Sequence, residues 1–295
     1  MVRQDRDLTT LQRDLLEWGE RARRDLPWRR TRDAWAVLVS ELMLQQTQAP
    51  RVVPKFEAFL ERFPTATDCA AASVGDVVDA WAGLGYNRRA VNLHRAAVVV
   101  CEIHGGLVPD DLAALLALPG IGPYTARAVL VFAFEHDLGL VDTNAGRFVA
   151  RALAGKAVST AEAQQQADAV VPHHRGWAWG QAVFDLGAAV CTKRTPRCGT
   201  CPIAHSCAWA RAGWREPDPA LGSAGVSRGQ STFAGSFRQG RGRLVHALRS
   251  GPVNADAVAA AAGWPEDPDR AERAVASLVA DGLAVVRADG TVAPP

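Results

Sequence analysis

Between two segments of helical periodicity the chain reads Leu118-Pro119-Gly120-Ile121-Gly122-Pro123-Tyr124-Thr125-Ala126. Glycine adopts positive φ at little cost, so Gly120 and Gly122 allow a tight turn whose backbone amides point outward. Outward amides at the start of a helix form a site for an anion such as a nucleic-acid phosphate. The same turn also suits a plain corner between two helices of a bundle, so it does not by itself identify a function.

Around this turn, apolar residues recur at helical spacing along most of the first 190 residues. Glycine and proline punctuate the segments, and no long alternating pattern typical of a strand appears before residue 210. The sequence therefore predicts an all-α region. The predicted helices lie near 7–24, 34–45, 51–62, 75–82, 88–104, 110–117, 124–135, 143–154, 161–171 and 179–190.

Four cysteines follow the helical region with the spacing Cys-x6-Cys-x2-Cys-x5-Cys, namely Cys191, Cys198, Cys201 and Cys207. Structural zinc sites usually come as two separated cysteine pairs, whereas one loop with four thiolates suits a [4Fe-4S] cluster better. The spacing favours the cluster and leaves zinc as the alternative. The remaining cysteines, Cys69 and Cys101, lie in apolar stretches typical of buried free thiols.

Two carboxylates stand out. Asp142 opens a helix, where it could be a plain N-cap, or a carboxylate that amide donors keep ionised at neutral pH. Glu41 has Val37, Leu38 and Leu44 as helical neighbours and no basic residue three or four positions away. Apolar surroundings raise the pKa of a carboxyl group, as a general acid requires. An ion pair with a distant arginine, or contact with solvent, is the alternative for Glu41.

The composition changes after the cysteines. Residues 211–243 are rich in Gly, Ser, Pro and Arg, with six arginines against two acidic residues, which predicts a basic linker at 215–240. Residues 241–295 carry three helical patterns, near 241–249, 254–262 and 268–281, followed by a hairpin signal at Asp289-Gly290. This order predicts a small winged-helix-like module that could bind DNA or a protein.

The bulk properties exclude several classes of protein. The net charge of the 295 residues is only +2, so any contact with nucleic acid must come from local patches. The polar N-terminal residues are unlike a signal peptide, and no apolar run approaches the ~20 residues of a membrane helix. Clustered thiols without a secretion signal indicate a reducing compartment. We therefore expect a cytoplasmic protein, nucleoid-associated if bacterial, with no membrane partner.

Together, the hairpin, Asp142 and the four-cysteine loop resemble the helix–hairpin–helix DNA glycosylases that carry a [4Fe-4S] cluster. Within that group the chain is most similar to the MutY-type adenine DNA glycosylases, because Ser40–Gln48 resembles their glutamate-bearing signature and Gly83-Leu84-Gly85-Tyr86 their Gly-Leu-Gly-Tyr segment. The resemblance covers about residues 8–214. It implies one helical domain of residues 1–28 and 136–214 with the cluster loop, and a second of residues 29–135 with the hairpin.

The resemblance implies an enzyme that removes adenine mispaired with 8-oxoguanine or guanine. Glu41 would protonate N7 of the flipped adenine and later activate water, while Asp142 would stabilise the C1′ centre. Tyr124 and Asn144 would position the two carboxylates. Relatives resembling endonuclease III carry a lysine where this chain has Tyr124. Without that amine no Schiff base forms, so the enzyme should be monofunctional and leave an abasic site.

The same resemblance assigns further residues to the DNA. The adenine pocket would be lined by Trp28, Arg29 and Gln181. The base opposite the adenine would contact Gln46, Thr47, Leu84 and Tyr86, and Tyr86 would intercalate as a wedge. The DNA backbone would lie on Gly120 and Gly122. The expected partner is double-stranded DNA with a mispaired adenine, bound by a monomer. No partner is assigned to the C-terminal module.

The chain departs from the family pattern in two places. Asp142-Thr143-Asn144 stands where relatives have Asp-Gly-Asn, and threonine tolerates positive φ badly, so the turn is expected to differ. Residues 236–295 are too short for the Nudix-like domain that reads 8-oxoguanine in many relatives. Two rival functions remain: a mismatch glycosylase for another base, such as thymine opposite guanine, and a non-enzymatic iron–sulfur DNA-binding regulator. The presence of both Glu41 and Asp142 favours the adenine enzyme.

Overall fold

The structure is a computed structural model that describes the backbone of residues 2–223 and 232–295, and the side chains from residue 8 onward within those ranges. The middle of the predicted basic linker, residues 224–231, lies outside the described residues. The helices are α1 (Val2–Ala22), α2 (Ala34–Leu44), α3 (Ala49–Arg62), α4 (Ala66–Ala71), α5 (Val74–Ala80), α6 (Arg88–His104), α7 (Leu112–Ala117), α8 (Pro123–Phe134), α9 (Thr143–Phe148), α10 (Thr160–Ala169), α11 (Gly176–Ala189), α12 (Ala208–Arg211), α13 (Phe237–Ser250), α14 (Val258–Ala262) and α15 (Pro268–Ala280).

This helical content confirms the predicted all-α fold. The described strands are β1 (Val285–Val286) and β2 (Val292–Ala293), which pair antiparallel in the predicted C-terminal hairpin. A π-helical segment, Val149–Ala154, continues α9. Among the described residues, no helix is both long and apolar enough to cross a membrane.

Helix α4 was missed by the sequence analysis. Six residues are too few to show a helical period, although a capping box marks the start. The Thr65 side chain accepts a hydrogen bond from the Asp68 backbone N–H, and the Asp68 carboxylate accepts one from the Thr65 N–H in return.

Residues that lie close together in space form two compact units. The first unit comprises Met1–Val37, Asp110–Leu116 and Gly122–Arg228, and the second comprises Leu38–Pro109, Ala117–Ile121 and Gly229–Pro295. The C-terminal module therefore shares a unit with α3 to α6.

The core of the first unit forms where α1 packs along α11. Leu11 and Leu15 of α1 are buried together with Trp179, Val183 and other apolar residues of the central helices. The two helices approach closely at Gly19, where an added Cβ would lie only 2.6 Å from the Cβ of Ala182. Burial of this apolar seam fixes α11, and α11 in turn carries Gln181, one of the predicted site residues.

In the second unit a buried arginine holds the end of α2. The Arg89 guanidinium donates hydrogen bonds to the carbonyl oxygens of Leu42 (2.8 Å), Met43 (2.9 Å) and Gln45 (2.6 Å), at the helix C-terminus. It also donates to the Gly85 carbonyl at 2.9 Å, in the next predicted motif. The last carbonyls of a helix have no partner within the helix, so Arg89 supplies donors that α2 itself lacks.

The C-terminal module has the order of elements expected of a winged helix. Helices α13, α14 and α15 precede the hairpin, and Val253, which follows α13, bridges to Val292 of β2. Helix α13 begins at Phe237, capped by Ser236, so the last residues of the predicted linker at 215–240 are helical. The segment before α13 is rich in Pro and Gly and contains several arginines. The start of the helix was therefore not recognised in the sequence, because the apolar period becomes visible only further along the helix.

The module contacts α5 and α6 of the same unit. Arg249 of α13 pairs with Asp79 at 3.0 Å and donates to the Val78 carbonyl at 3.2 Å. At Gly282 an added Cβ would lie 2.8 Å from Arg95 Nη2, so the chain after α15 lies directly against α6. Positive φ at Gly282 (73°) also makes glycine the suitable residue there.

Replacing Arg89 by alanine should lower the free energy of unfolding by about 3 kcal/mol, because several buried carbonyls lose their donor. Lysine should restore only part of that loss, since an ammonium cannot reproduce the planar fork. Chemical denaturation of the purified variants measures both effects. Arg88→Ala is the matched control: Arg88 is exposed and its ion pair with Asp281 (3.4 Å) should contribute less than ~1 kcal/mol. Equal losses at the two positions would contradict the role given to Arg89.

Candidate active site and cluster loop

Asp142 caps α9 and is at the same time held as a carboxylate. Its Oδ1 accepts hydrogen bonds from the backbone N–H groups of Asn144 (2.8 Å) and Ala145 (2.7 Å), and its Oδ2 accepts one from Asn144 Nδ2 (2.9 Å). Thr143, placed where the family has glycine, is not among the residues with positive φ. A β-branched residue therefore fits this turn without strain, and the Asn144 side chain lies against the carboxylate.

Two opposing effects act on the acidity of Asp142. Burial raises the pKa of Asp142 above its ordinary value, while the two backbone donors, the Asn144 amide and the charge of Arg147 limit the rise. The hydrogen bonds therefore support the ionised form in a place where low polarity opposes it. Such a carboxylate can face a developing positive charge with little competition from water.

Arg147 joins the Asp142 turn to the end of α11. Its guanidinium donates to the side-chain oxygen of Asn144 (2.7 Å) and to the carbonyls of Thr143 (2.6 Å), Gly187 (2.6 Å) and Cys191 (3.0 Å). Close packing reinforces the link, because an added Cβ at Gly187 would lie 2.6 Å from the Cβ of Asn144. One buried side chain thus fixes the Asn144 amide and the first cysteine of the loop together.

All four predicted cluster ligands line one small cavity of the first unit, together with Arg151 and apolar side chains. Arg151, one turn beyond Arg147, donates to Cys191 Sγ at 3.4 Å and to the Thr192 carbonyl at 2.8 Å, and it pairs with Asp218 at 2.8 Å. Arg151 therefore places a positive charge beside the first of the four sulfur atoms.

The cysteines fit an iron–sulfur cluster. Burial raises the pKa of the Cys201 thiol to about 11, with the other three cysteines adding to the rise. All four sulfur side chains converge on one largely apolar cavity, an arrangement that a bound metal centre explains. One cavity, four sulfur donors and an adjacent arginine match the ligand set of a [4Fe-4S] centre.

The residues predicted for the adenine pocket lie in the first unit. Trp28 and Gln181 are buried, and so is Arg29, which forms a two-pronged ion pair with Asp185 (2.7 and 3.0 Å). Arg24 adds two more hydrogen bonds to the same carboxylate, from its Nε at 2.6 Å and from its backbone N–H at 3.2 Å. Burial alone would raise the pKa of Asp185, but the two arginines outweigh it and lower that pKa. In this structure the Arg29 guanidinium is therefore engaged by Asp185, one turn along α11 from Gln181.

The hairpin uses its two glycines differently. Gly120 has the expected positive φ (78°), and an added Cβ there would lie 2.6 Å from the side chain of Asn92. The expectation of left-handed backbone at Gly122 is wrong: its φ is −95°, and it serves as the N-cap of α8 with Pro123 next. Tyr124, in the first turn of α8, lies with its ring centre 6.4 Å from that of Phe184.

The remaining site residues lie in the second unit. Glu41 is only 6% exposed, on a helix whose neighbouring side chains are almost all apolar. Arg89 gathers several of the others: it donates to Thr47 Oγ1 (3.2 Å) and to the Leu84 carbonyl (3.4 Å), and its guanidinium lies 5.5 Å from the ring centre of Tyr86. Gln46, Leu84 and Tyr86 line one cleft, so the structure brings these predicted residues together.

The sequence analysis missed the buried charged residues that organise these places: Arg89, Arg147, Arg151 and Asp185. Each lies in a helical segment. For Arg147, Arg151 and Asp185 the apolar neighbours in the sequence were the available signal, since a charged residue on a buried helix requires a partner. The partner itself is distant in sequence. Arg147, for example, reaches Cys191, 44 residues away.

Comparison with known proteins agrees with this geometry. A model of the helix-hairpin-helix GPD superfamily of base excision DNA repair proteins matches residues 39–173, and a model of the iron–sulfur binding domain of endonuclease III matches residues 191–207. Among solved structures, a thermostable thymine-DNA glycosylase is 27% identical, with a TM-score of 0.65 over 70% of this chain and 98% of that one. Endonuclease III trapped on DNA, 22% identical with a TM-score of 0.62, covers 72% of this chain and 99% of its own and shows the same fold.

Several adenine DNA glycosylases are similar over most of the chain. The enzyme of Mycolicibacterium smegmatis is 45% identical over 95% of this chain and 94% of its own length. The enzyme of Mycobacterium tuberculosis is 43% identical over 96% of this chain and 92% of its own. The human enzyme is 39% identical, over 68% of this chain and 39% of its own length.

Fold, hairpin and cysteine loop thus define a helix–hairpin–helix base excision DNA repair protein with an iron–sulfur centre. By identity and coverage, the chain belongs to the adenine DNA glycosylase family. The predicted family and the predicted [4Fe-4S] loop are both confirmed, and zinc is set aside. The mycobacterial likeness extends over nearly the whole chain, so it includes most of the C-terminal module.

Replacing Cys198 by serine should reduce the iron and sulfide content of the purified protein to near zero and unfold the loop, because the cluster loses one of four thiolate ligands. Iron analysis and the visible absorbance of the cluster measure the effect. Cys101→Ser is the matched control, since Cys101 lies in the other unit with Thr67 Oγ1 as its neighbour at 3.7 Å. Full iron content in the Cys198 variant would contradict the assignment of ligands.

Proposed function

We propose that this protein removes adenine mispaired with 8-oxoguanine or guanine in double-stranded DNA, by hydrolysis of the N-glycosidic bond. The observation that carries the proposal is the buried carboxyl group of Glu41, 6% exposed on an apolar helix. Such a place suits a general acid, and adenine leaves readily only when it is protonated. Membership of the adenine DNA glycosylase family supports the same substrate.

In the proposed mechanism the adenine nucleotide is flipped out of the helix before any bond breaks. Glu41 donates a proton to adenine N7. The C1′–N9 bond then breaks, its electron pair leaves with the adenine, and the sugar becomes an oxocarbenium-like cation. The ionised Asp142, held by its amide donors, stabilises this cation or traps it transiently at C1′.

Water completes the reaction. Glu41, now ionised, accepts a proton from water while the water oxygen bonds to C1′. If Asp142 is bonded to C1′, that bond breaks in the same step and its electron pair returns to the carboxylate. The acid is thereby restored and an abasic sugar is left. Asn144 keeps Asp142 oriented through the 2.9 Å hydrogen bond from its amide. Tyr124 holds the position at which a lysine would form an imine with the sugar, so the chain supplies no amine there for strand cleavage. Trp28 and Gln181 are both buried in the first unit, and they are proposed to face the adenine.

The cluster is proposed to have a structural role. Cys191, Cys198, Cys201 and Cys207 would hold it, and when bound it supplies order to the loop that carries Lys193, Arg194 and Arg197, residues suited to phosphate contacts. Hydrolysis of a glycosidic bond transfers no electron, so the proposed steps do not require its redox chemistry. We propose further that the enzyme acts as a monomer in the cytoplasm.

Glu41→Gln should slow single-turnover release of adenine by at least ~100-fold, because an amide cannot donate the proton that the leaving base needs. The duplexes carry adenine opposite 8-oxoguanine, guanine or thymine, and alkali reveals the abasic sites. Glu57→Gln, an exposed change on α3, is the matched control and should retain the wild-type rate. Affinity for the duplexes should change little in either variant.

Three other results would point elsewhere. If wild-type protein binds these duplexes but releases no adenine from any of them, the adenine assignment fails. Release of thymine from a thymine–guanine mismatch would instead support the rival mismatch enzyme. If no base is released and DNA binding alone persists after Glu41→Gln, the non-enzymatic regulator is the better explanation.

The acid limb of the pH–rate profile should report Asp142. Only its ionised form stabilises the cation, so the rate is retained above its pKa and falls as pH drops through it. Because burial raises that pKa, the limb should lie above the ordinary aspartate value of 3.8. Asn144→Ala removes a donor that favours the ionised form, and the limb should therefore move to higher pH.

This shift is measured from single-turnover rates collected between roughly pH 4 and pH 9. Gln12→Ala is the matched control, because it removes an amide that donates to the Val170 carbonyl (3.1 Å) and has no bond to Asp142. A lower rate for Asn144→Ala with an unmoved acid limb would mean that Asn144 acts through something other than the acidity of Asp142.

A further inference from the structure

Two histidines and an aspartate come together in the first unit, away from the cysteine loop and the Asp142 turn. His173 and His174 lie in the loop before α11, and Asp137 lies in the loop that follows α8. One nitrogen or oxygen atom from each of the three side chains lies within 4.8 Å of the others. None of these side chains takes part in the proposed reaction, so their convergence requires a separate explanation.

Asp137 is held in place by the backbone of the histidine loop. Its Oδ1 accepts hydrogen bonds from the backbone N–H groups of Arg175 (3.2 Å) and Gly176 (2.9 Å), and its Oδ2 accepts one from that of His174 (2.6 Å). Burial alone would raise the pKa of Asp137, but these donors and the His173 side chain outweigh it and lower that pKa. A carboxylate that is ionised at neutral pH therefore lies beside the two imidazoles.

The two loops pack directly against each other. A Cβ added at Gly176 would lie 2.1 Å from the carbonyl oxygen of His136 and 3.0 Å from the Cα of Asp137, so only glycine fits there. Because the backbone atoms are in contact, the position of the carboxylate relative to the histidine loop is set before any ligand binds. Such preorganisation reduces the cost of ordering side chains around a ligand.

The imidazoles are open to solvent, whereas the carboxylate is mostly covered. The His173 side chain is 83% exposed and that of Asp137 is 26% exposed. His173 Nδ1 lies 3.2 Å from Asp137 Oδ2. Two ligands that bind one tetrahedral ion at ~2.0 Å lie about 3.3 Å from each other, so this pair already has the spacing that a shared ion requires. An ion can enter from solvent and take the place of the contact between the two atoms.

His174 has a backbone conformation that is uncommon for a residue with a side chain. Its φ is +55°, in the left-handed region that favours glycine. This conformation directs the backbone N–H to Asp137 while the imidazole lies against that of His173, with 3.8 Å between the ring centres. Backbone strain of this kind persists where surrounding contacts enforce it, and it is frequent at binding sites.

We propose that Asp137, His173 and His174 bind a divalent transition-metal ion, zinc, which joins the end of α8 to the start of α11. Two imidazoles and a carboxylate are donors that zinc binds well, whereas magnesium and calcium prefer oxygen donors alone. Three protein ligands leave the fourth tetrahedral position to water. Helix α8 carries Tyr124 and α11 carries Gln181, so the ion would stabilise two helices that contribute to the proposed active site without entering the reaction.

Zinc binding is measured on the full-length, iron-loaded protein by isothermal titration calorimetry and by thermal melting. Wild type should bind one zinc ion per chain, and saturating zinc should raise the melting temperature by about 3–5 °C, because the ion binds the folded form. Magnesium at the same concentration should leave the melting temperature unchanged. Iron content is measured before and after the titration, which shows whether zinc has replaced iron at the cysteines.

His174→Gly removes a ligand without disturbing the backbone. Glycine adopts positive φ readily and keeps the N–H that donates to Asp137, so the zinc-free variant should melt close to the wild-type temperature. Loss of one of three ligands should weaken zinc binding by at least about tenfold, and His173→Ala should weaken it to a similar extent. His246→Ala is the matched control. His246 is an exposed histidine of the other unit, and its variant should bind zinc as the wild type does.

Three results would overturn this assignment. One is a wild-type protein whose melting temperature does not respond to zinc. Another is an undiminished zinc response in both His174→Gly and His173→Ala, which would place the ion elsewhere. The third is zinc uptake that is matched by a loss of iron, because the ion would then be bound by the cysteines. Adenine release plays no part in these measurements, so the zinc site and the proposed function fail independently of each other.

Discussion

A helix that ends inside a protein must give its last carbonyl oxygens to some donor, and in the second unit that donor is Arg89. Helix α2 carries Glu41 close to its C-terminus, so the carboxyl group can only be as well placed as the helix end. Burial lowers the pKa of Arg89 to about 10, which still leaves the guanidinium charged at neutral pH. A single side chain with five donors thus fixes helix α2, which carries Glu41, and the Gly83–Tyr86 turn in one arrangement.

In the first unit, Arg147 and Arg151 likewise donate hydrogen bonds to backbone carbonyl oxygens. Arg147 binds the Asn144 amide that orients Asp142, and it also binds the carbonyl of Cys191. Arg151 binds the sulfur of Cys191 and the carbonyl that follows it. The Asp142 turn and the cluster loop are therefore parts of one hydrogen-bonded structure, so an ordered loop is a condition for an ordered carboxylate. The proposed catalytic carboxylate and the cysteine loop are therefore joined by hydrogen bonds of Arg147.

The sequence predicted what is local. Helix α6 matches its predicted bounds because seventeen residues show a clear period, and the cysteine spacing identified the loop because all four ligands are close along the chain. It could not predict the arginine contacts, since Arg89 reaches carbonyls 44 to 47 residues away and no periodicity encodes a distant partner. The same limit applies to Arg29. The family resemblance places it in the expected adenine pocket, whereas its contact with Asp185 depends on how α11 packs.

The seating of the C-terminal module follows from the same reasoning about charge. A winged-helix-like module taken alone suggests an independent DNA reader, and its acidic residues weaken that interpretation. Seated on α5 and α6, however, it turns the arginine face of α13 toward Tyr86, while Asp281 neutralises only part of that charge. Buried arginines elsewhere in the chain are saturated by carbonyls and carboxylates of the protein itself. Arg89, which lines the cleft beside Tyr86, is engaged by carbonyl oxygens in the same way, while Arg88 and Arg241 share the carboxylate of Asp281.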